Sequence, residues 1–482
     1  MRARLYSLYA RDRWTVGNNL TLDVGTRWEY FPVPTRPDRG IERYDVATNK
    51  VWLCGVGSVP KNCGIDSSKS RFGPRVGLAY RFREKWVARA GYGLTNDPYY
   101  GMELIRANYP ILSQVKLESP DGLTPARTLS QGIPAFQLPD PGNGVLDIPS
   151  DYAWAGYPEN LDRGYIQSWN VTVQRELPWN FTGQIGYVGT QSTRQLGLLD
   201  VNAGQVIGAG DEGKPLEASY GRTASTVFLQ PVGKGRYNSL QAQLQRRFAG
   251  GLSLGVNYTW SKAMSDNENS SLSLGENKTQ ALAYFERNYS RTSTDRTHNL
   301  GITNVWQLPF GPGRHWASEG GVLSHIVGGW QINNVISIMS GTPFSVLADD
   351  TSLNLPGSIQ TADQVKPDVE KLGGVGRGTP YYDPTAFAEV TEARFGNTGY
   401  YYLRGPGLFN WDFGLTREFA VTSGVRLQFR MEAFNFTNTP HLANPNNDVG
   451  DGEDFMTITE VQDLGREGID ERQFRLGLRV VF

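Results

Sequence analysis

The chain has 482 residues, and its 47 Lys and Arg nearly balance 48 Asp and Glu, for a formal charge of −1. With no basic excess there is no electrostatic footprint for nucleic acid. Mean hydropathy is −0.42 and no run approaches about 18 apolar residues, which excludes transmembrane helices. A transmembrane barrel is not excluded, because only every second residue of its strands faces lipid.

Aromatics make up 12% of the chain and glycine 56 residues, a mixture suited to strands and tight turns. The opening Met1–Arg13 is too polar for a signal-peptide apolar region. Alternation then starts near Leu5 and recurs to the end. Leu20, Leu22, Val24, Thr26, Trp28 and Tyr30 alternate with Thr21, Asp23, Gly25, Arg27 and Glu29. Thirteen such strands are predicted, beginning near Leu5, Leu20, Arg75, Trp86, Tyr165, Phe181, Tyr237, Leu252, Thr297, Trp330, Leu408, Val425 and Arg472. They run to about 10–13 residues, the length of a tilted strand crossing a bilayer rather than the about 5–6 of a globular strand.

The connections alternate in length. Residues 15–19, 83–85, 178–180, 249–251 and 420–424 are short, whereas 32–70, 96–164, 195–235, 263–295, 342–405 and 438–471 are long. One member of the short series, 309–329, is longer than its siblings. Short periplasmic turns facing long extracellular loops are the pattern of an outer-membrane barrel. The fold class expected is therefore all-β, a transmembrane antiparallel β-barrel. Cys54 and Cys63 lie in a Gly/Pro-rich stretch of the first long loop, where a disulfide would fit an oxidising compartment; two thiols are the alternative.

Two strand faces stand out. In the last strand Leu476, Leu478, Val480 and Phe482 share one face, opposite Arg475, Gly477 and Arg479. Arg426, Gln428, Arg430 and Glu432 share the polar face of the preceding strand. Burying such charges unpaired is costly, so that face is expected to meet water or a polar lumen. The alternative is an Arg/Glu ladder that compensates itself across neighbouring strands. Trp28, Tyr30, Tyr258, Trp260, Trp169 and Trp330 lie near strand ends on the apolar face, as in an interfacial aromatic belt.

Several phrases occur in a recognisable order: Phe72–Tyr80, Arg89–Leu94, Gln167–Leu177, Tyr237–Gln241 with Arg246–Leu252, Tyr258–Lys262, Asp295–His298, Gly329–Gln331, Ser340–Phe344, Leu403–Gly407 and Phe429–Asn435. Together with the terminal Phe482 they resemble the carboxy-terminal barrel of Oar-like TonB-dependent receptors, over nearly the whole chain. The resemblance implies a barrel of 22 strands closed by an amino-terminal plug. It also implies energy drawn from the TonB complex through a TonB box, and a last strand read by the barrel-assembly machinery. No plug, TonB box or leading β-domain is apparent, so residues 1–482 are expected to be an amino-terminally incomplete barrel domain. Strand parity agrees: thirteen strands with a periplasmic carboxyl end place Met1 outside, whereas single-chain bacterial barrels have even counts. Met1 is thus expected to be an internal start, and the chain is not expected to function without the missing strands.

No catalytic constellation, metal set or cofactor motif is apparent. His298 beside Asp295 reads as a structural hydrogen bond at a loop-to-strand boundary, and Ser324-His325 lacks an acidic partner. Gly373–Gly378 lacks the strand–helix context of a phosphate loop. The four histidines are scattered, which disfavours zinc. Tyr99, Tyr100, Tyr381, Tyr382, Tyr400, Tyr401 and Tyr402 are candidates for ligand contact because they cluster in long loops. The leading reading is a receptor or transporter barrel of the bacterial outer membrane, with membrane lipid, the TonB complex and an extracellular ligand as partners. The ligand stays open among siderophore, oligosaccharide, peptide and protein. The alternative is a structural or adhesion protein that uses the barrel to anchor its loops. A secreted glycosidase is disfavoured, since its paired carboxylates would share one cleft and the acids here are dispersed.

Overall fold

The computed structural model describes residues 2–97, 108–112, 117, 119, 121–132, 134, 139–268, 278–462 and 470–482. Its wall is a meander of thirteen long strands. They are β1 Tyr6–Val16, β2 Leu20–Tyr30, β3 Arg71–Arg83, β4 Trp86–Asn96, β5 Tyr165–Leu177, β6 Phe181–Asp200 and β7 Thr226–Ala249. They continue with β8 Leu252–Ser265, β9 His298–Gln307, β10 Trp330–Met339, β11 Leu408–Ala420, β12 Arg426–Phe434 and β13 Gln473–Val481. Each pairs antiparallel with the next in chain order. Among the described residues β1 pairs only with β2 and β13 only with β12, so the sheet has two edges.

The short turns use residues that accept left-handed backbone. Between β7 and β8, Gly250 and Gly251 have φ of 57° and 82°, which a two-residue hairpin requires. The longer member of this series carries a one-and-a-half-turn helix, Val322–Val327.

Register keeps each face continuous across the wall. Trp14, Leu22, Leu78 and Ala90 stand side by side, as do Val173, Ile185, Ala242 and Tyr258. At the far edge Leu415, Met431 and Leu476 align, and so do Phe429 and Leu478. A one-residue slip anywhere would turn these side chains to the opposite face.

Two strand boundaries depart from the sequence expectation. β3 begins at Arg71 rather than Arg75, and β7 at Thr226 rather than Tyr237. The early part of β7 pairs with the late part of β6, and this hairpin rises into the loops past irregular register between Ser192 and Gly197. Phe228 and Leu229 are both buried there by loop residues. With both faces covered, that segment has no reason to alternate, and periodicity cannot reveal it.

The hydrophobic cores lie at the long-loop end, not in the wall. Ile41, Cys54, Cys63, Tyr157, Leu161, Leu196 and Leu229 form one cluster, adjoined by Tyr44, Val51, Trp154, Leu216 and Phe228. A second body joins Phe344, Val346, Ala362, Phe387, Phe455 and Met456. The two bodies are tied by backbone hydrogen bonds from Gly204, Gly208 and Gly210 to Pro356, Leu353 and Asn354. Short strand pairs brace them, including Glu42–Asp45 with Lys50–Leu53 and Pro343–Phe344 with Leu403–Arg404.

Candidate functional site

Three of the ordered sequence phrases meet where the cap of loops joins the wall. The Asp295 carboxylate accepts from the Ala263 amide at 2.7 Å and forms an ion pair with Arg404. Arg404 also donates to the carbonyls of Asp295 (3.0 Å) and Gly341 (2.9 Å). Arg296 donates to the Ser340 carbonyl at 2.6 Å, and the Ser340 hydroxyl accepts from the His298 amide at 3.0 Å. A Cβ on Gly341 would stand 1.9 Å from the Gly405 carbonyl oxygen, so only glycine permits this approach. The phrases Asp295–His298, Ser340–Phe344 and Leu403–Gly407 thus form one clasp. Asp295 is committed to Arg404, while His298 stacks on Tyr258 and shares a 2.8 Å hydrogen bond with its hydroxyl. The Asp295–His298 neighbours are not an acid–base pair.

Three of the loop tyrosines named as candidate ligand contacts are packed in the cap's cores. Tyr381, Tyr400 and Tyr401 are 5%, 4% and 9% exposed. Tyr382 is partly buried, and its hydroxyl donates to the Arg404 carbonyl at 2.8 Å. Burial pushes the Tyr400 phenol up to about 12. Tyr402 is exposed and its hydroxyl bonds Gln364. Aromatic clusters in loops look alike in sequence whether they pack inward or face outward. Tyr99 and Tyr100 lie outside the described residues.

Beneath Tyr400 and Tyr401 sits Lys278, a buried cation that no sequence pattern signals. Its ammonium donates to the Asn288 carbonyl (2.6 Å) and the Ser290 hydroxyl (3.0 Å), and lies 5.3 Å from the Tyr401 ring centre. Burial lowers its pKa to about 8, against the attraction of Glu268 and Asp266. Buried Arg222 plays a similar bracing part, donating to the carbonyls of Pro149 (2.9 Å) and Tyr152 (2.5 Å). Cys54 and Cys63 are joined by a disulfide, with Cα atoms 5.0 Å apart, inside the first cap cluster.

The polar face of the wall varies around the sheet. On β12, Arg426 donates to Glu418 of β11 at 3.0 Å, and Arg430 pairs with Glu432 along the strand. Gln428 and Glu432 stand opposite Arg479 and Arg475 of β13. On β1–β4 the same face carries Arg11 and Arg13 against Asp23, Arg27 against Glu29, and Arg89 donating to Gln174. Between these zones, β5–β8 show mainly neutral groups: Asn170 opposite Gly91, Gln174 opposite Gln184, and Gln243 opposite Asn257. Leu476, Leu478, Val480 and Phe482 are all more than half exposed on or beside the other face.

No group of three or more His, Cys, Asp or Glu that could hold a metal occurs among the described residues. No described helix is long and apolar enough to cross a membrane, which says nothing of strands.

A family model described as "Outer membrane beta barrel domain" matches residues 1–475. No curated protein matches the sequence. Among solved structures, the chain is similar to the ferripyoverdine receptor of the outer membrane of Pseudomonas aeruginosa. The identity is 10% and the TM-score 0.46, over 99% of this chain and 38% of that one. It is also similar to the ferric enterobactin receptor PfeA of Pseudomonas aeruginosa (11%, TM-score 0.46, 99% and 45%). The outer membrane transporter YddB of Escherichia coli is a third (10%, TM-score 0.45, 99% and 54%). The chain spans less than two thirds of the length of each. By the family match over nearly its whole length, the chain belongs to the outer membrane β-barrel domain family and is a protein of the bacterial outer membrane.

Proposed function

We propose that this chain is barrel wall and surface cap of a TonB-dependent outer-membrane receptor that takes up an extracellular ligand. The observation that carries this reading is the convergence of Asp295–His298, Ser340–Phe344 and Leu403–Gly407, phrases that resemble those of Oar-like receptors, at one clasp under a folded cap. A receptor needs a surface held in one shape, and a cap with its own cores supplies it. In this reading the polar face, with Arg426, Gln428, Arg430 and Glu432, lines the solute path. The apolar face, with Leu476, Leu478 and Val480, meets lipid. Coupling to the TonB complex runs through a plug, and barrel-assembly machinery reads β13.

The test is a comparison of host cells lacking this gene with host cells lacking TonB, by mass spectrometry of solutes left in spent medium. The reading expects the same solute to accumulate in both. A gene deletion that changes cell attachment but leaves every solute depleted as in the parent would instead favour a barrel that anchors its loops.

A further inference from the structure

The wall has a notch on its apolar face at the long-loop end. β9 stops at His298 while β8 continues to Ser265, and the sheet resumes only at Ser290–Arg291, which pairs with Ser265 and Met264. The notch opens a cavity of about 420 Å³ lined by Tyr187, Leu240, Trp260, Lys262, Arg291 and Thr297, among others. Register places the main lining side chains on one face: Tyr187 opposite Leu240, Leu240 opposite Trp260, Asn238 opposite Lys262, and Arg291 opposite Met264. That face is the apolar one that an outer-membrane wall turns to lipid.

The cavity has two chemically distinct ends. Toward the middle of the wall it is apolar, with Leu240 and a Trp260 that is 54% exposed. Toward the loops it carries two cations. The Lys262 ammonium is exposed and has no side-chain partner among the described residues. Among the described residues the Arg291 guanidinium makes only a 3.4 Å contact with the Tyr402 carbonyl, whereas the neighbouring Arg404 is committed to Asp295. Tyr187, level with Leu240, donates to Asn238, level with Lys262, at 2.6 Å, which joins the two ends. The size matches a small-molecule site, commonly about 300–1,000 Å³. Basic pockets beside a membrane-spanning surface suit acidic lipid headgroups.

We propose that this notch binds a phosphate-bearing membrane lipid. Lys262 and Arg291 hold the phosphate by charge-assisted hydrogen bonds, and an acyl chain lies along Trp260 and Leu240. The occupant must be an amphiphile, because the cationic and apolar ends follow one another along the direction in which headgroup gives way to hydrocarbon. The inference uses the family assignment and the register, and it does not depend on TonB coupling or on uptake.

The test is native mass spectrometry of the protein purified from its host's outer membrane in nonionic detergent, with phosphatidic acid and diacylglycerol of identical chains as probes. The site expects retention of one phosphatidic acid and no retention of diacylglycerol. Lys262→Gln should weaken retention about tenfold, the equivalent of one lost charge-assisted contact. Lys262→Arg should restore it. Equal retention of both lipids, or a Lys262→Gln chain that binds like the parent, overturns the proposal. Displacement by inorganic phosphate at the lipid's own concentration would mark a free-anion site and also overturn it. Heat-modifiable gel mobility reports whether the variant has folded; if it has not, the two-lipid comparison on the parent chain decides.

Discussion

The wall and the cap are stabilised in opposite ways. In the cap, Trp154, Tyr157, Leu229, Leu353 and Met456 are almost wholly buried against other loop residues. In the wall, Val76, Val171, Ile185 and Leu478 stand more than a third exposed on the apolar face. The cap carries out in water what any soluble domain does, removing apolar surface at about 25 cal/mol per Å². The wall leaves such surface uncovered, as the proposed lipid-facing role of that face requires, and its cohesion comes from strand pairing. Buried charge follows the same division. Arg222, Asp295 and Lys278 of the cap are enclosed and braced by carbonyls or a partner ion, while Arg426 and Arg430 of the wall are paired but exposed.

This contrast can be broken at chosen residues. The largest effect is expected for Arg404→Ala, which leaves the buried Asp295 carboxylate unpaired at a cost of about 3–5 kcal/mol. Limited proteolysis should cut the cap sooner while heat-modifiable mobility shows the wall intact; simultaneous loss of both would mean that the two regions fold as one unit. Leu229→Ala should cost the cap about 2–5 kcal/mol by the same readout. In the wall, Ile336→Arg puts a charge on the apolar face and should cost about 2–4 kcal/mol in bilayers. Equal unfolding midpoints of that variant and the parent in lipid vesicles would place the face elsewhere than against lipid.

Lys278 gives the cap a pH dependence. Its folded pKa, about 8, lies below the ordinary lysine value of 10.5, so the unfolded chain binds the proton more tightly. Below about pH 8 both states are charged and the cost of burial is fully present. As pH rises from about 8 toward 10.5 the folded state loses its proton first, and the cap gains stability relative to Lys278→Met. Parallel pH profiles of the two proteins in guanidinium melts of the cap would remove this account. The smallest effect is expected for Arg426→Ala, since its pair with Glu418 is exposed and should contribute less than about 1 kcal/mol.

How legible each region was follows from the same physics. The wall strands β1, β2, β4, β5, β6 and β8 begin within one residue of where alternation starts. One side of each is apolar and the other polar, so period two is written directly into the residues. The start of β7 was hidden because loops cover both of its faces. The loop tyrosines illustrate the other limit: Tyr381, Tyr400 and Tyr401 fill the cap, while Tyr402, adjacent in sequence, reaches the surface. Neither composition nor spacing distinguishes them.

Thirteen strands, their faces and the alternation of short and long connections can be read from residue order, because they are local consequences of it. Folding makes the long loops enclose their own cores, closes Asp295, Ser340 and Arg404 into one clasp, and buries Lys278. It alone also set Lys262 and Arg291 beside one apolar notch. Those relations join residues far apart in the chain, and they depend on how the loops fold back over the wall rather than on any repeat within it.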